Sequence, residues 1–462
     1  RGMAAPPRPS AGARRRRARG ARATAALVAM LVVAGAAPGA ARLGEQQEHE
    51  PMPGQVALRV AGPWDGAWKY VVHYATTGEA RWAPTKCWAW PADDRSAITT
   101  GHGTSVTYSN LQYGGIYSHP DDYYTSPYLH QCKLPGLAPN TRYFYRVAHE
   151  RFGPTFDFVT PPPPASKFPF TFAVMADVGQ TKYSRATFAS AKNLFDRLPY
   201  STLVFPGDLS YADGDQNSWD TFADLATPLL AHVELIATPG NHEVERQEAF
   251  VAYQARYAPG ELWHVEKRGP VTFITLSSYS AYLPGSSQYR WLQATLDEVD
   301  RRITPWLIVQ FHAPIINSNS AHQGEAEAMR VAMEPLLFKH RVDLIFNGHV
   351  HSYERIYPIF NFTRNECGPT TVIIGDGGNR ERAASNWIYP QPEWSAFREA
   401  SFGFGFLTIT SPTQANWTWV RNPFPDYDFP DEFVPHTDPA LDSIVIDRSA
   451  CDSRLHAGLV SA

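Results

Sequence analysis

Hydrophobic positions change rhythm partway along the chain. From about Val56 to Thr160, apolar residues alternate with polar ones in short runs such as Val56 to Val60, Tyr70 to Tyr74 and Tyr143 to Val147, with turn residues between them. Alternation of period two marks strands buried on one face, and the lack of helical spacing predicts an all-β sandwich of roughly 100 residues over 53–162. Pro161 to Pro164 reads as a stiff extended spacer and a domain boundary. Beyond Lys167 the apolar residues come in unbroken runs: Phe170 to Ala176, Thr202 to Phe205, Glu234 to Thr238, Val271 to Leu276, Trp306 to Phe311 and Val342 to Phe346. Such runs, each ending in polar residues, read as strands covered on both faces in a layered α/β domain. Helix-compatible spacing over Thr187 to Leu198, Tyr289 to Val299 and Glu325 to His340 supplies the cover, the last segment expected to be kinked or divided at Pro335. This second domain is expected over 168–421, with a tail at 422–462 completing it.

Five polar motifs follow these runs: Asp177-Val178-Gly179, Gly207-Asp208-Leu209-Ser210-Tyr211, Gly240-Asn241-His242-Glu243, Val309-Gln310-Phe311-His312 and Gly348-His349-Val350-His351. Carboxyl ends of strands in an open α/β sheet converge on one crevice, so residues far apart in sequence meet there. Taken singly, each has a bland use: Asp177 as a helix cap, Tyr211 as core, a lone histidine as packing. Together, in order and each after an apolar run, they point to a metal site. Two aspartates, a tyrosine, an asparagine and three histidines offer oxygen and imidazole but no sulfur, a set suited to harder first-row metals. Seven side chains exceed one tetrahedral ion and suit two six-coordinate ions bridged by an aspartate, the usual arrangement for displacement at phosphorus. His349 and His351, two apart in an extended segment, point to one side and give one imidazole to each ion.

The motif order resembles the purple acid phosphatase family, within the calcineurin-like metallophosphoesterases. Tyr211 is the discriminating residue, because in that family the tyrosine of the GDxxY motif binds ferric iron as a phenolate and colours the protein. The resemblance implies a ferric site of Asp177, Tyr211 and His351, a divalent site of Asn241, His312 and His349 holding iron, zinc or manganese, and Asp208 as the bridge. The implied fold is an α/β (α+β layered) sandwich of two β-sheets flanked by helices, after a fibronectin type III-like module. The stretch Gly136 to Thr141 before Tyr143-Phe144-Tyr145-Arg146-Val147 resembles the tyrosine-bearing turn of such modules. The implied reaction is acid hydrolysis of phosphomonoesters by metal-bound hydroxide, without a phosphoenzyme. A ferric and a divalent ion bring five positive charges; Asp177, Asp208, Tyr211 and a bridging hydroxide remove four, leaving about +1 to attract phosphate.

Asn241, His242 and His322 are the expected substrate-facing groups. His242 either binds the phosphate or acts as an outer partner of Asp208 or a carbonyl; the resemblance favours the first use. His322 matches the second of two adjacent histidines carried by the larger plant members, while Ala321 replaces the first. It is therefore the single candidate for protonating the leaving alkoxide. Gly375 to Asn379 and Phe397 to Gly403 also resemble the plant-type enzymes, as a strand turning back beneath the metal loops with Asp376 as an acceptor behind the ligands.

Composition then narrows compartment and partners. The apolar fraction of 44% and charged fraction of 19% are globular, and 39 prolines with 13 tryptophans favour loops and strands over helical bundles. Residues 1–42 hold nine arginines and no acid, with Arg14-Arg15-Arg16-Arg17, an apolar run from Ala23 to Ala37 and small residues from Gly39 to Ala41. They read as a secretory signal peptide, with an organellar transit peptide as the alternative, and the run is too short for a stable membrane span. Without them, 41 basic residues fall to 32 against 45 acidic ones, about −13, a charge that repels nucleic acid. The expected partner is a small phosphate ester, and a homodimer is left open. Cys87, Cys132, Cys367 and Cys451 suit two disulfides in any of three pairings, among which the sequence does not choose: Cys367 with Cys451 would tie the tail down and leave Cys87 for Cys132, with a Cys367 bridge between chains as the competing use. Sequons at Asn361 and Asn416 agree with export to a secreted or vacuolar location. A preference for phytate, nucleotides or pyrophosphate bonds is the alternative on the same scaffold, and a non-catalytic secreted binding protein is the reading from another class.

Overall fold

The computed structural model describes residues 52–77, 85–110, 123–165, 167–198, 202–258, 260, 262–422 and 442–451. The expected leader at 1–42 and most of the expected tail at 422–462 lie outside these residues. The N-terminal strands are β1 (Gly54–Val60), β2 (Trp68–Thr76), β3 (Lys86–Pro91), β4 (Thr99–Val106), β5 (Tyr128–Leu137), β6 (Arg142–Val147) and β7 (Phe156–Val159). In β6, Tyr143, Tyr145 and Val147 face inward and the residues between them do not, as alternation dictates. Around them pack Leu58, Trp68, Tyr70 and Phe158, and a Cys87–Cys132 disulfide joins β3 to β5. The Tyr143 hydroxyl accepts a hydrogen bond from the Ala138 backbone at 2.9 Å, closing the turn that follows Gly136.

The second region begins with β8 (Phe170–Val174), β9 (Thr202–Phe205) and β10 (Glu234–Ala237), which are parallel and wholly buried. It continues with β11 (His264–Arg268), β12 (Val271–Thr275), β13 (Trp306–Gln310), β14 (Leu344–Asn347), β15 (Tyr353–Ile356), a short hairpin of β16 (Ile359–Phe360) and β17 (Thr363–Arg364), β18 (Thr370–Ile374), β19 (Ser395–Glu399), β20 (Gly403–Ile409), β21 (Gln414–Arg421) and β22 (Asp442–Asp447). One sheet runs β22-β21-β20-β8-β9-β10-β1-β2-β5-β4-β3-β6-β7, and the other β11-β12-β13-β14-β18-β15-β19. The two sheets face each other across an apolar layer, where Phe172 meets Phe273 at 4.8 Å and Phe346 meets Trp417 at 5.5 Å between ring centres. Helices α1 (Lys182–Phe195) and α2 (Asn217–Leu230) pack with the first sheet, and α4 (Ser287–Asp297) and α5 (Glu327–Lys339) with the second; α3 (Val251–Arg256) is a short connector.

One feature departs from the sequence reading. Helix α5 is continuous through Pro335 rather than divided there. Pro335 and Val331, four residues earlier, are both exposed, so the hydrogen bond that proline cannot make is lost where water replaces it. The Pro161–Pro164 spacer, for its part, does not interrupt the hydrogen-bonded ladder. Strand β1 pairs with β2 on one side and, at Leu58↔Glu234, in parallel with β10 on the other. Buried Glu234 accepts from the Tyr70 hydroxyl and from Arg268 Nε at 2.8 Å, and Tyr145 donates to the Ala231 carbonyl at 2.7 Å. The β-rich module is thus stitched to the α/β region. The disulfide Cys367–Cys451 closes inside the chain and pins the segment after β22.

Candidate metal centre

The parallel strands deliver their last polar residues to one edge, and the backbone there turns in a way side chains rarely accept. Asp177, Asp208, Tyr211 and His349 have φ of 55°, 55°, 54° and 70°. Each non-glycine in the left-handed region costs on the order of 1–2 kcal/mol, and such strain collects at functional sites. Two glycines make room for it. A Cβ on Gly240 would overlap Asp208 Oδ1, and one on Gly348 would overlap Asp177 Oδ2.

All seven side chains singled out in the five motifs meet at this edge. Tyr211 Oη lies 3.1 Å from Asp177 Oδ1 and 3.0 Å from His351 Nε2, which is itself 3.4 Å from Asp177. On the other side Asn241 Oδ1 faces His312 Nε2 at 3.2 Å and His349 Nδ1 at 2.9 Å. Asp208 Oδ2 lies 3.0 Å from His312 Nε2. The residues therefore fall into one cluster with a phenol and another with an amide, which approach each other where His312 Nε2 comes within 3.9 Å of Asp177 Oδ1.

The donor set has the character of a cation site. His312 Nδ1 bonds the Pro206 carbonyl at 2.7 Å, which makes it the N–H and turns the Nε2 lone pair toward Asp208 and Asn241. Asp208 Oδ2 is buried and accepts no hydrogen bond among the described residues. Acceptor thus faces acceptor, an arrangement that a positive ion relieves. Protonation is the alternative: against burial, which opposes it, Asp208 and Asp177 push His312 up to about 10. Burial raises the Asp177 carboxyl, whereas for Asp208 the same burial is outweighed by His312, His242 and His349, and its carboxyl is held low. Burial, then Asp177 and Asp208, drive the Tyr211 phenol far up. A nearby cation would reverse that and stabilise the phenolate.

The expected substrate-facing histidines flank this centre. His242 bonds Asp213 Oδ1 through Nδ1 at 2.5 Å and brings Nε2 to 3.9 Å from Asp208 Oδ2 and 3.7 Å from Glu381 Oε1. Burial works against its protonation, but Asp213 and Asp208 raise it to about 9. The ring of His322 lies 3.8 Å from that of His349, and its Nδ1 bonds Glu325 Oε2 at 3.0 Å. Asp376 is buried but accepts from the Trp419 indole, and no hydrogen bond joins it to the seven side chains.

Several groups here escaped the sequence reading. Glu325 Oε2 also holds His349 Nε2 at 2.7 Å, so one oxygen clasps a ligand candidate and the acid candidate; its only sequence signal is the spacing His322-Gln323-Gly324-Glu325. Tyr279 points its hydroxyl at Asn241 Oδ1, 3.4 Å away. Glu243 accepts from the backbone N–H groups of Asp208, Leu209 and Gly240 at 2.9, 2.9 and 2.7 Å, clamping two metal loops together. Burial pushes its carboxyl up to about 7.

Comparison with known proteins agrees with this geometry. The calcineurin-like phosphoesterase profile matches residues 170–353, that of the iron/zinc purple acid phosphatase-like protein C matches 368–428, and that of the purple acid phosphatase N-terminal domain matches 67–160. Purple acid phosphatase 18 of Arabidopsis thaliana is 41% identical over 365 residues, 76% of this chain and 80% of that one. The chain belongs to the purple acid phosphatase family. Fe(3+)-Zn(2+) purple acid phosphatase 12 of the same plant is 37% identical over 330 residues, covering 65% of this chain and 70% of the relative. A purple acid phosphatase structure from yellow lupin seeds superposes with a TM-score of 0.75 at 20% identity, over 86% of this chain and 74% of that one, a likeness of fold. This purple acid phosphatase is accordingly a metal-dependent enzyme that hydrolyses phosphomonoesters at a dinuclear centre.

Proposed function

We propose that the centre holds a ferric ion with Asp177, Tyr211 and His351, a divalent iron, zinc or manganese ion with Asn241, His312 and His349, and Asp208 between them. When bound, the ion pair supplies Lewis-acid activation of water and positive charge for the phosphate. The chain's own groups do the rest. His242 and Asn241 orient the phosphate, and His322, oriented by Glu325, gives a proton to the departing alkoxide. The observation that carries this reading is the Tyr211 hydroxyl held between Asp177 and His351. The test is metal content and visible spectrum of the purified protein, with turnover of a phosphomonoester panel from acid to neutral pH. Iron with a visible band that disappears in Tyr211→Phe supports the assignment; a colourless protein without iron refutes it.

The same reading includes export to a secreted or vacuolar location. Two disulfides and two sequons on exposed asparagines, Asn361 and Asn416, favour a secretory route over organellar import. Glycosidase-sensitive mass on protein from the native host tests this. Because Cys367 is engaged within the chain, a homodimer would be non-covalent, and native mass under oxidising conditions decides it.

A further inference from the structure

We propose that Arg246 and Arg380 form an outer anion subsite beside the scissile phosphate, which reads a second negative group, carboxylate or phosphate, carried by the substrate's alcohol. The inference rests on the phosphomonoesterase reading and deepens it. Its hub is Asp213, whose side chain is only 7% exposed. Asp213 Oδ1 holds His242 Nδ1 at 2.5 Å, and Oδ2 is shared by Arg246 Nη1 at 2.6 Å and by Arg380. The far nitrogen of that histidine faces Asp208, so the two guanidiniums lie on the opposite side of the ring from Asp208, one layer outward. Arg380 also donates to the Tyr211 carbonyl at 2.7 Å, with its guanidinium carbon 6.0 Å from the Tyr211 ring centre.

Charge and exposure favour an incoming anion. Two guanidiniums on one carboxylate leave a positive charge that Asp213 does not cancel. Of the acids adjoining the two arginines in sequence, Glu381 lies by the histidine's Nε2, and neither it nor Glu245 forms an ion pair with Arg246 or Arg380 among the described residues. The arginine side chains stay 57% and 51% exposed, and each guanidinium carries five N–H donors of which Asp213 and the Tyr211 carbonyl use few. A planar fork of that kind suits a carboxylate or phosphate. The backbone is built to hold it: Arg246, Gln247, Ala249 and Phe250 all have positive φ, at 49°, 71°, 46° and 62°. Glu248, inside this run, fastens it by accepting from Gly214 N, Gln216 Nε2 and the Trp219 indole at 2.9, 2.8 and 3.0 Å. If the arginines served only to lock Asp213, they would matter equally for every substrate.

Glycerol 2-phosphate and 2-phosphoglycerate differ by a hydroxymethyl group against a carboxylate next to the ester carbon, and the ratio of their kcat/KM values in the metal-loaded enzyme is the readout. Arg246→Gln is expected to lower the preference for 2-phosphoglycerate about tenfold, mainly through KM, with Arg246→Glu lowering it further and Arg246→Lys restoring part of it. Rising salt should shrink the wild-type preference, since the arginines are exposed. An unchanged ratio in Arg246→Gln, or equal losses on both substrates, overturns the subsite. Nitrophenyl phosphate separates the two layers of the argument: an enzyme active on it whose ratio ignores Arg246 refutes the subsite alone, and a metal-loaded protein inactive on it refutes the phosphatase reading as well.

Discussion

Asp208 Oδ2 faces His312 Nε2 at 3.0 Å, and Glu325 holds two histidines on one oxygen. Single atoms of this kind decide the chemistry, and the strand-end motifs marked most of them. The motifs did not mark Glu325, Tyr279 or Asp213, because these reach the site from loops whose local sequence carries no ligand pattern. His322 is the residue where a substitution is most informative. A general acid contributes about 10²–10⁴ in rate when the leaving group is poor. His322→Ala should therefore lose at least tenfold more kcat on glycerol phosphate than on nitrophenyl phosphate, whose phenolate leaves without help; equal losses would remove the assignment. Glu325→Gln should show the same selectivity more weakly and also loosen metal binding, since it touches His349, and dialysis against a chelator measures the second effect.

Elements place these atoms. Unbroken apolar runs in β8, β9, β10, β13 and β14 foretold strands covered on both faces, and each begins or ends within about two residues of its run. Helix α2 was missed although Trp219, Phe222, Ala223, Ala226 and Leu230 form a buried stripe; Pro228 and the absence of a side-chain cap at Gln216 hid it. At the strand ends, the clamp by Glu243 carries the load. Each such backbone hydrogen bond contributes about 0.5–1.5 kcal/mol, and a glutamine, with an NH2 in place of one oxygen, cannot receive all three backbone donors. Glu243→Gln should lower the melting temperature and speed metal loss while leaving the far-ultraviolet circular dichroism unchanged. Retention of metal at the wild-type rate would assign Glu243 to local stability alone.

At the scale of the whole molecule, the β-rich module and the α/β region share a ladder and a set of buried polar contacts, and one buried group of the module makes stability depend on pH. His73 on β2 is buried with neither ring nitrogen hydrogen-bonded among the described residues, and burial, aided by Arg59, lowers it from 6.5 to about 3. The unfolded chain takes a proton on this ring below about 6.5 and the folded chain resists until about 3, so stability falls as pH drops through that window. The slope is at most about 1.4 kcal/mol per pH unit. His73→Leu should flatten the acid side of a stability–pH curve measured by urea unfolding; an unchanged slope would place the acid sensitivity elsewhere. Apolar periodicity foretold the buried strands, and the strand-end motifs, through their resemblance to the purple acid phosphatases, foretold the family, the layered fold and the seven side chains that meet at one edge, because burial pattern and motif chemistry are properties of local sequence. Only the tertiary structure decided that the module joins the catalytic sheet through Leu58 and Glu234, that Cys367 pairs with Cys451, and that Arg246 and Arg380 share Asp213 with His242. Each of these is a contact between segments distant along the chain, set by how strands and loops pack in space, and no local pattern encodes it.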